Sequence, residues 1–560
     1  MRIIPGLALV LAGAAVAAAQ TDTQSRDAAS AARMMEHIRV LSSDAFEGRG
    51  PGTPGEEKAV AYLQGEFTKL GLLPGNPDGT FIQNVPMVGI LSSSVATFEV
   101  GGKTLTPAVL NDFVAVSRHE APTVEVKDSD IVFAGYGCVA PEYGWDDFKG
   151  VDVRGKTVIV LVNDPPVPDP TDPTKLDASM FKGKAMTYYG RWTYKYEEAS
   201  AMGAAACLIV HETGPAGYPY SVVQGSWGRE NFSLVSADGN AKRASVEGWL
   251  SLGYARTLLA AAGLDYDTLK AAAAKKDFHP VDCHAKASFT VSNTIRRLDS
   301  RNVIARLDGS DPARRGEYVV YSAHWDHLGK NPKLKGDPVF HGAADDASGC
   351  AAILEIAQQL TALPAGERPR RSTLFMAFCA EEQGLLGSEY YCGHPLYPLV
   401  KTVADINIDG TGGLQSSGPS RDMEIEGYGN STLDDLASLV LKRDGRVVVP
   451  DTQPEKGYFY RADHFEFAKV GVPAIAMSSG TDIIGKAADL GTKRRDEYIE
   501  NDYHKVTDVI KPWWDLTGGA RDVDLYLKMG LELSATGDWP QWKPGCEFKA
   551  RRDEMMAAAR

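Results

Sequence analysis

The chain has 560 residues, of which 44% are hydrophobic and 24% charged. That is ordinary for a folded protein but too long for one core of usual size, so two domains or one domain with a large insertion are expected. A formal net charge of −14 and a pI near 5.4 exclude nucleic acid as an expected partner and argue against an anionic membrane surface. Seven scattered cysteines without a C-x-x-C pair exclude a disulfide framework and a thiolate zinc site, and leave room for one or two disulfides in an oxidising compartment.

In chain order, Arg2 precedes an apolar run to about Val16, and Ala17, Ala18 and Ala19 stand before Gln20. This is the pattern of a signal peptide over residues 1–19, and it predicts a secreted or periplasmic protein. No second hydrophobic span follows, so no stable membrane insertion is expected. Residues from about 28 read as helix, then a Gly/Pro-rich stretch, "FEGRGPGTPGEE", then a second helix in "EKAVAYLQGEFTKLGL". From about 96 to 289 short β-type runs dominate, among them "DIVFAGYG", "KTVIVLVND" and "AACLIVHE". After 290, strands and helices alternate: "EYVVYSAH", "ASGCAAILEIAQQLTAL", "STLFMAFCA", "GLLGSEYYC", "TVADINID", "STLDDLASLVLKRDG", "VPAIAMSS". The alternation predicts an α/β fold with a mixed, mostly parallel sheet flanked by helices. Ligands of such sheets bind at the carboxyl ends of the strands.

Charged and histidine residues gather at those predicted strand ends. "YSAHWDHLG" offers His324 and Asp326, and "GAADDASG" offers Asp345 and Asp346. "CAEEQG" ends a strand in Glu381 and Glu382, "ADINID" ends in Asp409, and "NDYHKVTD" carries Tyr503 and His504. Each fragment alone has a plain structural explanation: a loop, a helix cap, a solvated strand end. Together, two histidines and several carboxylates form a ligand set for Zn²⁺ or a similar ion. Paired metals need a bridging carboxylate and a spare carboxylate to act as base. The inventory supplies His324 and His504 as nitrogen ligands, Asp345, Glu382 and Asp409 as oxygen ligands, and one glutamate left over. His327 reads as a loop residue.

These motifs resemble the M28 family of zinc peptidases, through H-x-D (His324, Asp326), D-D-A-S-G (Asp345 to Gly349), A-E-E-x-G-L-L-G-S (Ala380 to Ser388), I-D (Ile408, Asp409) and Y-H (Tyr503, His504). The resemblance covers about residues 28–95 and 290–540 and implies a discontinuous catalytic domain, 28–95 with 290–545, of the zinc exopeptidase type (phosphorylase/hydrolase-like). The middle section, 96–289, resembles an inserted, β-rich protease-associated (PA) domain.

The resemblance also implies roles. His324 and Asp409 hold one Zn²⁺, Glu382 and His504 hold a second, and Asp345 bridges the two expected in each protomer. Asp346 shapes the turn, Asp326 orients His324, Glu381 is the general base, and Tyr503 donates to the developing oxyanion. A stretch around Tyr458, Tyr460, Arg461 and His464 is expected near the substrate cleft. Gly410 stands where related sequences often carry a larger residue, an expected change of pocket shape. The implied activity is hydrolysis of N-terminal residues from peptides, that is, an aminopeptidase. A carboxypeptidase, a glutaminyl cyclase-like transferase and a non-catalytic binding protein are the alternatives on the same scaffold.

Overall fold

The structure is a computed structural model that describes residues 24–410 and 414–559; the expected signal peptide, 1–19, lies outside the described residues. The chain forms two compact units. One comprises the chain up to Val85, Ser300–Thr452 and the chain from Ala462 onward; the other comprises Pro86–Asp299 and Gln453–Arg461.

The first unit is built on a mixed sheet. Strand Tyr318–His324 is central, with Ser372–Phe378 and Thr402–Asn407 parallel on either side. Ala474–Ser479 continues the parallel run beyond Thr402–Asn407. Antiparallel neighbours flank this run: Asp422–Ile425 beside Ala474–Ser479, with Val447–Pro450 parallel beyond it, and Val303–Leu307 beside Ser372–Phe378. Every residue of Ser372–Phe378 and Thr402–Asn407 is buried, as expected for parallel strands covered on both faces. Successive side chains point to opposite faces. Val320, Leu374, Met376 and Phe378 therefore pack with Tyr391 and Phe467 in one core. Phe375 faces the other way, against Phe67 and Tyr321, and Tyr321 donates its hydroxyl to the carbonyl of Tyr526 in helix Thr517–Ala535.

The second unit is built around a run of parallel strands. Thr123–Phe133, Thr157–Leu161, Ala206–His211 and Val246–Ser251 run parallel. Phe113–Val116 and the segment Val281–Ser292 flank them antiparallel. Helices Trp192–Ala201, between Thr157–Leu161 and Ala206–His211, and Tyr220–Trp227, between Ala206–His211 and Val246–Ser251, lie in the crossovers that parallel pairing requires. The short segment Gln453–Arg461, placed by the sequence reading with the catalytic part, clusters with this unit instead. Its backbone supplies the reason: Pro454 O accepts from Met186 N at 2.9 Å, and Glu455 O accepts from Asn163 Nδ2 at 3.2 Å.

The seven cysteines are free thiols, six of them buried. No described helix is long and apolar enough to cross a membrane.

One buried amide ties the sheet to the turn that follows it. Asn302 Oδ1 accepts from Cys379 N at 3.1 Å, and Nδ2 donates to Gly387 O at 2.8 Å and to Gln83 Oε1 at 3.0 Å. Asn302→Leu leaves all three partners buried and unpaired and is expected to cost about 2–3 kcal/mol, read as a lower urea midpoint with an unchanged slope.

Candidate metal centre

Three strand ends of the first unit converge. His324 is the last residue of its strand and lies opposite Phe378. Asp409 follows Asn407, the end of the next strand. The turn after Phe378 brings Glu381 and Glu382. On a strand two adjacent carboxylates would point to opposite faces. Here Ala380 takes a left-handed conformation, φ 54°, and Glu381–Gln383 form a 3₁₀ turn closed by Gly384 at φ 107°. Neighbouring side chains in such a turn diverge by about 120° rather than 180°, so both glutamates reach the same cavity. The turn is fixed by Glu381 N, which donates to Asp326 Oδ1 at 3.0 Å.

Asp345 stands between two imidazoles. Its Oδ1 is 3.1 Å from His324 Nε2, and its Oδ2 is 3.4 Å from His504 Nε2. Glu382 Oε2 lies 2.9 Å from His504 Nε2, while Asp409 Oδ1 lies 4.0 Å from His324 Nε2. Glu381 is farther out, with Oε2 3.9 Å from His324 Nε2. His324 and Glu382 are enclosed, with side-chain exposures of 1% and 2%. Glu381 and His504 form the open side, at 10% and 20%.

The residue set fits a metal. His324 Nε2, Asp409 Oδ1 and Glu382 Oε1 are buried without a hydrogen-bond partner among the described residues, a costly state unless a cation satisfies them. Two groups of donors, His324 with Asp346 and Asp409, and His327 with Asp345 and Glu382, each lie within 4.8 Å of one another. Electrostatics point the same way. Burial raises the proton affinity of Glu381, and the charges of Asp409 and Glu382 add to it, well above the usual carboxylate range. Asp409 is likewise pushed up to about 7 by burial and by Asp345 and Glu382. Burial alone would lower His324 and His504, but the encircling carboxylates outweigh it, holding His324 far above its ordinary range and His504 at about 10. A buried cluster so rich in carboxylate retains protons unless metal ions replace them.

Asp346 is used differently from Asp345. Its Oδ1 accepts from Gly349 N at 2.8 Å, capping helix Ala347–Ala362, and from Gly410 N at 3.0 Å; its Oδ2 accepts from His324 N at 3.2 Å. It therefore shapes the turn. Asp326 Oδ1 lies 3.6 Å from His324 Nδ1, and the Asp326 carbonyl is nearer, at 3.2 Å. Tyr503 stacks on His504, with ring centroids 3.9 Å apart. His464 is buried at the start of helix His464–Lys469 and belongs to neither donor group. Tyr458, Tyr460 and Arg461 fall in the second unit, where Arg461 lies over the rings of Tyr218 and Tyr458 and donates to Ala216 O at 3.1 Å.

Gly410 does not widen a pocket. A Cβ there would meet Ala344 O at 1.9 Å and Ser348 Oγ at 2.4 Å, so the glycine is what lets the Asp409 loop lie against the Asp345 loop.

Two residues of this framework escaped the sequence reading. Asp508 accepts from Ala344 N and Asp345 N at 3.0 and 3.1 Å. Arg49 is fully buried, and its guanidinium donates to four carbonyls: Leu41 O, Trp325 O, His341 O and Gly342 O, at 2.7–2.9 Å. It thereby joins the His324 loop to the Asp345 loop. Its place in "EGRGPG", with φ +50°, is the one available signal: a charged residue inside a Gly-rich turn.

Residues 302–526 match the model of peptidase family M28. Among curated relatives, mouse aminopeptidase NAALADL1 is 37% identical over 129 residues, 22% of this chain and 15% of that protein. A probable lipoprotein aminopeptidase, LpqL, of Mycobacterium tuberculosis is 27% identical over 239 residues, 39% of this chain and 42% of that one. The chain thus spans less than half the length of these relatives. Among solved structures, an aminopeptidase from Aneurinibacillus sp. strain AM-1 aligns over 92% of this chain and 94% of its own, with 19% identity and a TM-score of 0.51, a likeness of fold.

Replacing Arg49 by Met takes the guanidinium donor from four buried carbonyls, of which Gly342 O keeps the amide of Ala347. This is expected to cost at least about 3 kcal/mol in the metal-free protein, measured by chemical denaturation in chelator, with Arg49→Lys recovering part of the loss.

Proposed function

We propose that the chain is a zinc-dependent exopeptidase, an aminopeptidase in its main activity, that works outside the cytoplasm and carries a protease-associated-like insertion as its second unit. The observation that carries the reading is Asp345, which offers one oxygen to His324 and the other to His504. One carboxylate facing two imidazole sets is the arrangement a paired-metal centre requires. His324 and Asp409 would hold one zinc, Glu382 and His504 the other, with Asp345 common to both. When bound, such ions supply Lewis acidity toward a scissile carbonyl and make water a better nucleophile near neutral pH.

The chain's own residues then divide the work. Glu381, on the open side of the cluster, takes a proton from the attacking water and delivers it to the leaving amine. Burial beside Asp409 and Glu382 raises its proton affinity, which suits a group that must hold that proton between the two transfers. Tyr503, stacked on His504, is read as the donor to the carbonyl oxygen as charge develops there. Asp326 positions Glu381 through its backbone N–H and backs His324 from the side away from the metal set.

The test is hydrolysis of amino-acid anilides and of N-blocked and C-blocked dipeptides, with and without chelator. Activity is expected to require a free amine, to vanish on chelation and to return with zinc. A requirement for a free carboxylate would make the enzyme a carboxypeptidase, and activity that survives exhaustive chelation would remove metal from the reading. Glu381→Gln is expected to keep its full metal content while kcat falls by roughly 10²–10⁴-fold; near-normal turnover would assign the base elsewhere.

A further inference from the structure

The five-ligand set leaves one imidazole unexplained. His327 is completely buried, and neither of its ring nitrogens has a hydrogen-bond partner among the described residues. Its Nδ1 nevertheless sits 2.5 Å from Glu382 Oε1. That oxygen is also unpartnered, so the two polar atoms crowd one spot without forming an aligned hydrogen bond. On the opposite side of the same carboxylate, Oε2 is 2.9 Å from His504 Nε2. Glu382 is thus bracketed by two imidazoles, whose rings lie 6.0 Å apart at 77°.

Nothing about this placement is loose. The backbone N–H of His327 donates to Arg49 O at 3.3 Å. Its ring lies against Gly342, where a Cβ would come within 2.7 Å of His327 Cγ. A buried imidazole with no hydrogen-bond partner among the described residues, locked in place against a carboxylate oxygen that also lacks one, is in the condition expected of a metal ligand. His327, Asp345 and Glu382 each offer a donor atom within 4.8 Å of the others.

We propose that His327 is a further metal ligand, through Nδ1, in the centre formed by Asp345, Glu382 and His504. The inference rests on the metal reading above and extends it. The two centres become unequal: His324, Asp345 and Asp409 give one ion three protein donors, and the His327 centre gives the other four. The centre with two imidazoles binds zinc more tightly and fills first, and the three-donor centre keeps more positions open for water and substrate.

Metal content and affinity are measured by chelator competition on the full chain, for wild type and for His327→Ala and His327→Gln. The metal-free thermal midpoint of each protein serves as the control for folding. Cobalt-substituted samples report coordination through their visible spectra, and X-ray absorption on zinc-loaded samples counts imidazole ligands. The expected result is that wild type binds two ions with separated affinities and three imidazoles in total. Both variants should then lose at least about tenfold in the affinity of the tighter site, no less than outer-shell partners typically contribute. Their cobalt spectra should change and one imidazole should disappear, with metal-free stability similar to wild type. Unchanged affinities, or an unchanged imidazole count, in a variant that folds would overturn the assignment. If wild type binds no metal, the metal reading itself fails, which is a different outcome from a His327 variant that binds two ions as wild type does.

Discussion

The centre depends on one guanidinium. Arg49 reaches out of a Gly-rich turn and spends its donors on four backbone carbonyls, two of them on the loop before Asp345 and one on the residue after His324. Loops that carry metal ligands have few backbone partners of their own, because their residues bend away from the sheet. A buried planar donor with several fixed N–H directions satisfies several such carbonyls at once, which an ammonium cannot do with the same geometry. Charge matters as well. A permanent cation beneath a cavity lined with carboxylates offsets part of their mutual repulsion, whatever the metal occupancy above it.

Around that brace, backbone groups are paired with care and side-chain groups in the cavity are not. Asp508 takes the amides of Ala344 and Asp345. Asp346 takes those of His324, Gly349 and Gly410, and Asn302 takes that of Cys379. His324 Nε2, Glu382 Oε1, Asp409 Oδ1 and both nitrogens of His327, which have no hydrogen-bond partner among the described residues, all belong to the cavity. The cavity thus brings several such atoms to one spot, where cations can relieve them. Two adjacent aspartates illustrate the division: Asp345 faces the imidazoles, while Asp346 is consumed by three amides.

Much of this is legible in the residues. The alternation of apolar strands and amphipathic helices after residue 290 yields the mixed, mostly parallel sheet, because strands covered on both faces favour apolar runs such as "LFMAF". His324, Asp345, Glu382, Asp409 and His504 are recognisable because chemistry requires their types and because each follows a strand or turn. Arg49 and Asp508 are not recognisable in that way. Both act through backbone carbonyls and amides of distant segments, and no residue type at the far end betrays the contact. Gly410 is misread for a related reason: its smallness is dictated by the Ala344 carbonyl, sixty-six positions earlier in the chain. The grouping of Gln453–Arg461 with the second unit is invisible for the same cause, since it rests on backbone bonds to Met186 and Asn163.

The sequence by itself determined the class of fold, the inventory of possible ligands and the presence of a spare glutamate, since these follow from hydrophobic period and from the chemistry of single side chains. Only the tertiary structure decided how the inventory is divided. The left-handed Ala380 and the 3₁₀ turn after it let Glu381 and Glu382 serve one cavity, and Asp345 rather than Asp346 lies between the imidazoles. His327, a loop residue on paper, ends against Glu382. The physical reason is common to all three: direction. Composition and spacing specify which groups a chain possesses, but where their lone pairs point depends on turn conformations and buried hydrogen bonds set by residues far away in the chain.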